Sequence, residues 1–250
     1  RIYMLPQGIF SVAVATVLFP TLSRMAARRD AGGIRRAVGN GMRQINLLLI
    51  PSSALMLVLA TPITRLVYQH GTFSATSTHY VSSALFWFSF SLPFAGVNLL
   101  LTRTFFSVQR PWIPTKLAAL NMVVDAIVSI ALYKPLGIAG LVIGTGVANI
   151  VMTALQIHRL RIGLNGHLEG GQTLMITMRI LVATVIMAAV ARGVWVLLNR
   201  GLGDSLAAQI VSVGLPCAVA CLLYGWLALK MRIPEARQIQ QLVMSRLHRG

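Results

Sequence analysis

Acidic residues are what this sequence has least of: five Asp and Glu stand against 22 Lys and Arg in 250 residues. The five lie far apart along the chain, so no carboxylate pair is available for general acid and base work. No Walker loop and no Ser, His and Asp arrangement takes its place. His70, His79, His158, His167 and His248 fall in connectors or at the ends of apolar stretches and read as interfacial residues rather than ligands. Catalysis of bond making or breaking is therefore not expected. Cysteine is scarce too. Cys217 and Cys221 sit four apart inside one apolar stretch and read as core packing, since a metal site or a disulfide needs more ligands and a polar setting. Charged residues make up only 11%, against about a quarter in soluble globular domains. The basic ones are spread over many connectors without interleaved exposed aromatics, which argues against a nucleic-acid partner. No secretory leader is evident, because the chain opens on Arg1 within an apolar segment; a fragment of a longer chain is the expectation.

Apolar residues are abundant instead, at 56% of the chain, and the mean hydropathy is +0.74. Crossing ~30 Å of hydrocarbon takes ~20 mostly apolar residues. The sequence offers seven such stretches, roughly 2–23, 44–63, 81–102, 117–133, 138–157, 173–198 and 206–229. Their lengths suit helices rather than barrel strands, which would alternate apolar with polar about every ten residues. The expected fold is an all-α, polytopic membrane helix bundle with seven transmembrane helices. Of the 22 basic residues, 17 lie on one side of the alternating topology, leaving Arg1, Arg65, Lys134, Arg192 and Arg200 towards the other. The positive-inside rule then places the first connector and the C-terminus in the cytoplasm. The basic connector 23–38 reads either as a short surface helix on anionic headgroups or as a plain topogenic loop. The tail from Pro234 to Gly250 reads as a solvated or surface-lying amphipathic segment.

Within the spans, Pro6, Pro20, Pro51, Pro93 and Pro216 each remove a backbone hydrogen bond and either kink a helix as a hinge or sit there neutrally. Gly140, Gly144 and Ala148 repeat at four-residue spacing, which brings small side chains to one face for close helix packing. Asp125 is the only acid in any span. Asn121 lies one turn before it on the same face, and Thr145 lies on the next helix beyond the connector Lys134-Pro135-Leu136-Gly137. Carboxylate, amide and hydroxyl oxygens from two neighbouring helices suit Na⁺ or a proton; alternatively, Asp125 pairs with an arginine or hydrogen-bonds a neighbouring helix. Arg1, at the outer start of the first span, either faces a cavity as a bidentate partner for an anionic headgroup or snorkels to the interface. Arg192 reads as a snorkelling residue.

The run Arg1-Ile2-Tyr3-Met4-Leu5-Pro6-Gln7-Gly8-Ile9-Phe10, continuing to Thr16-Val17-Leu18-Phe19-Pro20-Thr21-Leu22-Ser23-Arg24, resembles the eighth helix of MurJ/MviN-type lipid II flippases. Tyr68-Gln69-His70-Gly71-Thr72-Phe73 is similar to the family's loop after its ninth helix. Arg103-Thr104-Phe105-Phe106-Ser107 with Pro114 resembles the connector before the eleventh, and Gly140-Leu141-Val142-Ile143-Gly144-Thr145 the start of the twelfth. Met4 stands where some members carry an acid, and Gln109-Arg110-Pro111-Trp112-Ile113 departs from the usual loop. The resemblance implies helices eight to fourteen of a fourteen-helix transporter of the multidrug/oligosaccharidyl-lipid/polysaccharide exporter superfamily. On that reading residues 1–160 are five helices of the C-lobe core with the lobe's first helix missing, 161–230 are two additional helices, and 231–250 are a basic cytoplasmic tail. It further implies alternating-access flipping of an undecaprenyl-diphosphate-linked peptidoglycan precursor across the bacterial inner membrane. Arg1 matches the family's substrate-binding cavity arginine, Asn121, Asp125 and Thr145 fall where the superfamily places a C-lobe cation site, and Pro6, Pro20, Gly140 and Gly144 serve as hinge and packing positions. No cofactor is implied beyond coupled Na⁺ or H⁺. The implied partners are the lipid-linked diphosphate, membrane lipids and cell-wall synthesis proteins. Competing readings are another polysaccharide-lipid flippase, a cation-coupled antiporter, or a membrane scaffold without transport.

Overall fold

The computed structural model describes residues 4–68, 75–164, 170–201 and 206–237, and all regular structure among them is helical. The helices are α1 (Met4–Ala27), α2 (Ala31–Val58), α3 (Ala60–Tyr68), α4 (Ala75–Ser107), α5 (Trp112–Leu136), α6 (Ile138–Gly163), α7 (Gly170–Gly201) and α8 (Leu206–Lys230). All but the short α3 are long and apolar enough to cross a membrane, giving seven candidate spans. The seven-helix expectation therefore holds. Five of the seven spanning helices outrun their apolar windows at the arginine-rich end by a turn or more, α7 and α8 by less, because hydropathy marks only what lies in hydrocarbon.

The basic connector 23–38 is neither a separate surface helix nor a loop. It divides between α1 and α2 around a turn at Arg28–Asp30. Asp30 closes the turn as an N-cap, its Oδ1 accepting the Gly33 N–H at 2.7 Å, which satisfies one of the orphan donors of α2.

α2 and α4 form the centre. α1 packs on both, α6 lies against α4 with α5 beyond it, and α7 packs on α2 with α8 beyond it. The largest apolar core joins Leu22 of α1, Ile34, Ile45 and Leu49 of α2, Leu92, Leu100 and Phe105 of α4, and Leu160 of α6, all buried. Three helices converge at Gly96, where a Cβ would collide with Leu49 and with Ser11 Oγ. Immediately after Pro6, residues Gln7–Ser11 take a π-helical turn, a local widening of the ladder of the kind that recurs at mobile or functional points.

Two of the interior prolines do more than interrupt a helix. A proline leaves the carbonyl four residues earlier without its N–H partner. Pro51 leaves Leu47 O free, and the Tyr224 hydroxyl of α8 donates to it at 2.7 Å. Pro93 leaves Ser89 O free, and the Ser53 hydroxyl of α2 donates to it. Each freed carbonyl thus becomes a cross-helix bond.

The tail does not begin as a solvated segment. Arg232 adopts a left-handed φ of 55°, Ile233 N bonds back to Ala228 O, and the chain turns so that Ile233 enters a second core with Leu47, Ile176 and Ile180. Glu235 is buried against Arg43 of α2, and Arg179 Nη1 donates to Met231 O at 3.4 Å. Apolar burial and one buried ion pair dock this stretch onto the bundle; 238–250 lie outside the described residues.

Replacing Tyr224 with Phe should strand the Leu47 carbonyl and lower the unfolding free energy by about 1–3 kcal/mol, read as a lower thermal midpoint in detergent. The double change Pro51→Ala with Tyr224→Phe should recover most of that loss, since the helix N–H returns. An additive double mutant would show that the proline and the hydroxyl are not linked.

Candidate functional site

The sequence-predicted oxygen cluster is partly assembled where α5 and α6 form a tight hairpin. Gly137, at φ 57°, turns the chain between them. A Cβ at Gly140 would fall on the backbone carbonyl of Leu132, and one at Gly144 on Ser129, so the two backbones approach as only glycine permits. Thr145 Oγ1 donates to Asp125 Oδ1 at 3.4 Å, a long bond, and Ser129 Oγ donates to the same oxygen at 3.1 Å. Both hydroxyls also lie within reach of Leu141 O, at 3.3 and 3.4 Å. The structure therefore brings Asp125 and Thr145 together and adds Ser129, which the sequence reading passed over although it stands one turn beyond Asp125. Asn121 lies one turn before, its Oδ1 buried and without a hydrogen-bond partner. Among the described residues no arginine or lysine pairs with Asp125, and no group of three His, Cys, Asp or Glu forms a metal site. The arrangement is a set of hard oxygen donors around one carboxylate, suited to a proton or a small cation.

A second feature was not legible in the sequence. A groove of about 620 Å³ runs between α2, α4, α6 and α7. Its wall is mostly apolar, with Ile50, Phe94, Val97, Ile157 and Leu181 along it. A few hydroxyls and amides interrupt that wall: Asn46 Nδ2 donates to Thr177 Oγ1 at 3.3 Å, while Thr184 Oγ1 is buried without a partner. Arg161 closes one end, at the last turn of α6, with a guanidinium nitrogen within 3.0 Å of where a Cβ on Gly170 would lie.

The other predicted residues distribute as follows. Arg1 lies outside the described residues, as do the connector 69–74 and His70, His167 and His248. Pro6 immediately precedes the π-helical turn, and Pro20 lies inside α1. Arg192 does more than snorkel: its Nη1 donates to Val58 O at the end of α2 at 3.4 Å, and the guanidinium sits 4.6 Å from the Trp195 ring centre. Cys217 is half-buried but Cys221 is exposed on the face of α8, so core packing describes only the first.

A family model described as Lipid II flippase MurJ matches residues 1–211. The chain is 29% identical over 236 residues to a protein of Rhizobium tropici named probable lipid II flippase MurJ, a match covering 90% of this chain and 42% of that protein. It is 29% identical over 155 residues to the lipid II flippase MurJ of Thermosipho africanus, covering 60% and 31%. Its fold is similar to a solved structure titled Lipid II flippase MurJ, inward closed conformation, with a TM-score of 0.72 and 21% identity over 92% of this chain and 46% of that one. The chain spans less than half the length of each of these proteins.

Gly140→Ala should cost about 1–3 kcal/mol, because the added carbon meets a backbone carbonyl that cannot turn aside. Gly146→Ala, where a Cβ would sit 3.7 Å from Ser91, should leave the thermal midpoint unchanged. Equal midpoints for the two variants would mean that α5 and α6 stand further apart than the hairpin described.

Proposed function

Since this chain belongs to the MurJ lipid II flippase family, we propose that it forms the carboxyl-terminal part of an inner-membrane flippase. Its cargo on this reading is the undecaprenyl-diphosphate-linked peptidoglycan precursor, carried from the cytoplasmic to the periplasmic leaflet by alternating access. The groove ending at Arg161 is the observation that supports this most directly. From Gly170 to Val185 the wall contributed by α7 runs roughly 22 Å at 1.5 Å per residue, a length of apolar surface suited to a polyprenyl chain. A guanidinium at the end of such a wall meets diphosphate oxygens in a bidentate geometry that an ammonium does not offer. The arginine-rich end is assigned to the cytoplasm by the positive-inside rule, which puts Arg161 on the side from which the precursor enters; the alternating topology of the sequence assigns Arg1 to the other side, as a second cation for the headgroup.

Coupling to Na⁺ or H⁺ is assigned to Asp125 with Ser129, Thr145 and Asn121. A lone carboxylate in a span, unpaired by any cationic side chain among the described residues, is stabilised either by protonation or by a bound cation. Either event changes the balance of charge between the two hairpin helices, and the π-helical turn after Pro6 supplies a point at which α1 can bend in response.

Both assignments are tested with the protein expressed from its complete reading frame in cells depleted of their own flippase. Arg161→Gln should reduce flipping roughly tenfold, the scale set by losing a charge-assisted bidentate bond, with normal membrane abundance; flipping at the original rate would remove Arg161 from the substrate path. Asp125→Asn should abolish the dependence of flipping on the Na⁺ gradient or on pH. An intact ion dependence would leave Asp125 as a packing residue.

A further inference from the structure

At the arginine-rich end the structure gathers three cations that the flippase reading does not use. Arg29 stands in the turn between α1 and α2, Arg110 in the turn between α4 and α5, and Arg159 in the last turns of α6; together they line a cavity of about 270 Å³. Arg159 and Arg161 are two residues apart, so they leave α6 about 200° from one another, Arg161 to the groove and Arg159 to this cavity. The floor is apolar and belongs to the main core: Ile34, Phe105 and Leu160 are 2–4% exposed.

Three guanidiniums sharing one cavity repel each other unless something negative lies among them. Among the described residues no carboxylate is paired with any of the three, and the adjacent acid, Asp30, is committed to capping α2. Both turns are Schellman-type helix ends: Arg29 has φ 54° and Gln109, next to Arg110, has φ 57°, and the N–H groups of Asp30 and Arg110 bond back to Met25 O and Phe105 O. Glycine would occupy either position at lower cost, since a left-handed conformation costs an ordinary residue roughly 1–2 kcal/mol. These helix ends fix the turns that set Arg29 and Arg110 beside Arg159 at the cavity.

From this convergence we infer that the cavity binds a phosphate group, with three arginines as its donors and the apolar floor accepting whatever carbon the phosphate carries. The floor and the position at helix ends favour a phosphate that belongs to an anionic phospholipid of the adjacent leaflet over a free one, because inorganic phosphate has no use for apolar surface. This site needs only that the chain spans a membrane, so it stands or falls separately from the substrate assigned to the groove.

The test uses the protein expressed from its complete reading frame, purified in detergent and examined by native mass spectrometry with phosphatidylglycerol or phosphatidylcholine of matched acyl chains. Phosphatidylglycerol should be retained at least tenfold more strongly. Arg29→Gln, Arg110→Gln and Arg159→Gln should each weaken that preference about fivefold, and the triple variant should remove it. Arg65→Gln, at the other end, should leave it unchanged. Millimolar inorganic phosphate that displaces the lipid would identify the free anion as a ligand of the same site, whereas no displacement assigns the site to the lipid. Equal retention of the two lipids by the unaltered protein overturns the inference. So do three single variants that all keep the original preference, a comparison that remains available if the triple variant does not fold.

Discussion

A polar atom at membrane depth has no water to fall back on, and much of the architecture of this chain follows from how such atoms are satisfied. The prolines make the point most sharply. Pro51 and Pro93 each orphan a carbonyl in a helix at the centre of the bundle, and each orphan is bonded by a hydroxyl from another helix: Tyr224 to Leu47 O and Ser53 to Ser89 O. The same residues that weaken α2 and α4 individually therefore tie α2 to α8 and to α4. Elsewhere the hydroxyls look after themselves. Ser52, Thr64, Ser89 and Thr104 each donate to the carbonyl four residues earlier, which hides a polar group without calling on a neighbour.

Several polar groups that are not self-satisfied mark joints. Asn98 and Thr153 bond across α4 and α6, Gln156 reaches Thr102, and Arg43 meets Glu235. In lipid the apolar surface of one helix gains little by exchanging lipid tails for another helix, so these bonds and the close glycine contacts carry a larger share of helix pairing than they would in water. The arrangement leaves α7 and α8 attached chiefly through α2. The groove is the space between that attachment and the α4–α6 pair, and its depth follows from the helices having no reason to close it.

Much of this was legible in the sequence for a simple physical reason. Hydropathy over 20 residues and the sidedness of arginine report on the bilayer, and the bilayer dictates spans; seven stretches became seven helices. The one-turn spacing of Asn121 and Asp125 and the glycine stripe of α6 were likewise visible, because they are local. Ser129 was visible in principle, one further turn along the same stripe, but a serine in a span is common and carries no cost that would single it out. The groove and the three-arginine cavity were not visible. Both are made by residues from three or four helices whose only common property is their position after folding. The docked start of the tail was hidden for a related reason: Ile233 and Glu235 look like an ordinary apolar and an ordinary charged residue until the turn at Arg232 carries them back onto Leu47 and Arg43.

One helix shares residues with all three sites, and its geometry explains how. On α6, Thr145, Asn149, Thr153, Ile157 and Arg161 follow one another at four-residue intervals. Four residues turn an α-helix about 400°, so such a stripe drifts by about 40° at each step and by about 160° over the whole run. It starts against α5, where Thr145 bonds Asp125. It passes α4, where Asn149 and Thr153 meet Asn98, and it ends in the groove beside α7, where Arg161 stands next to Gly170. Arg159, on the far side of the same last turns, faces the basic cavity. A packed helix moves as a unit because its neighbours interlock with it. The oxygen cluster, the end of the groove and the basic cavity all draw residues from α6, so a rigid displacement of that helix would shift all three together.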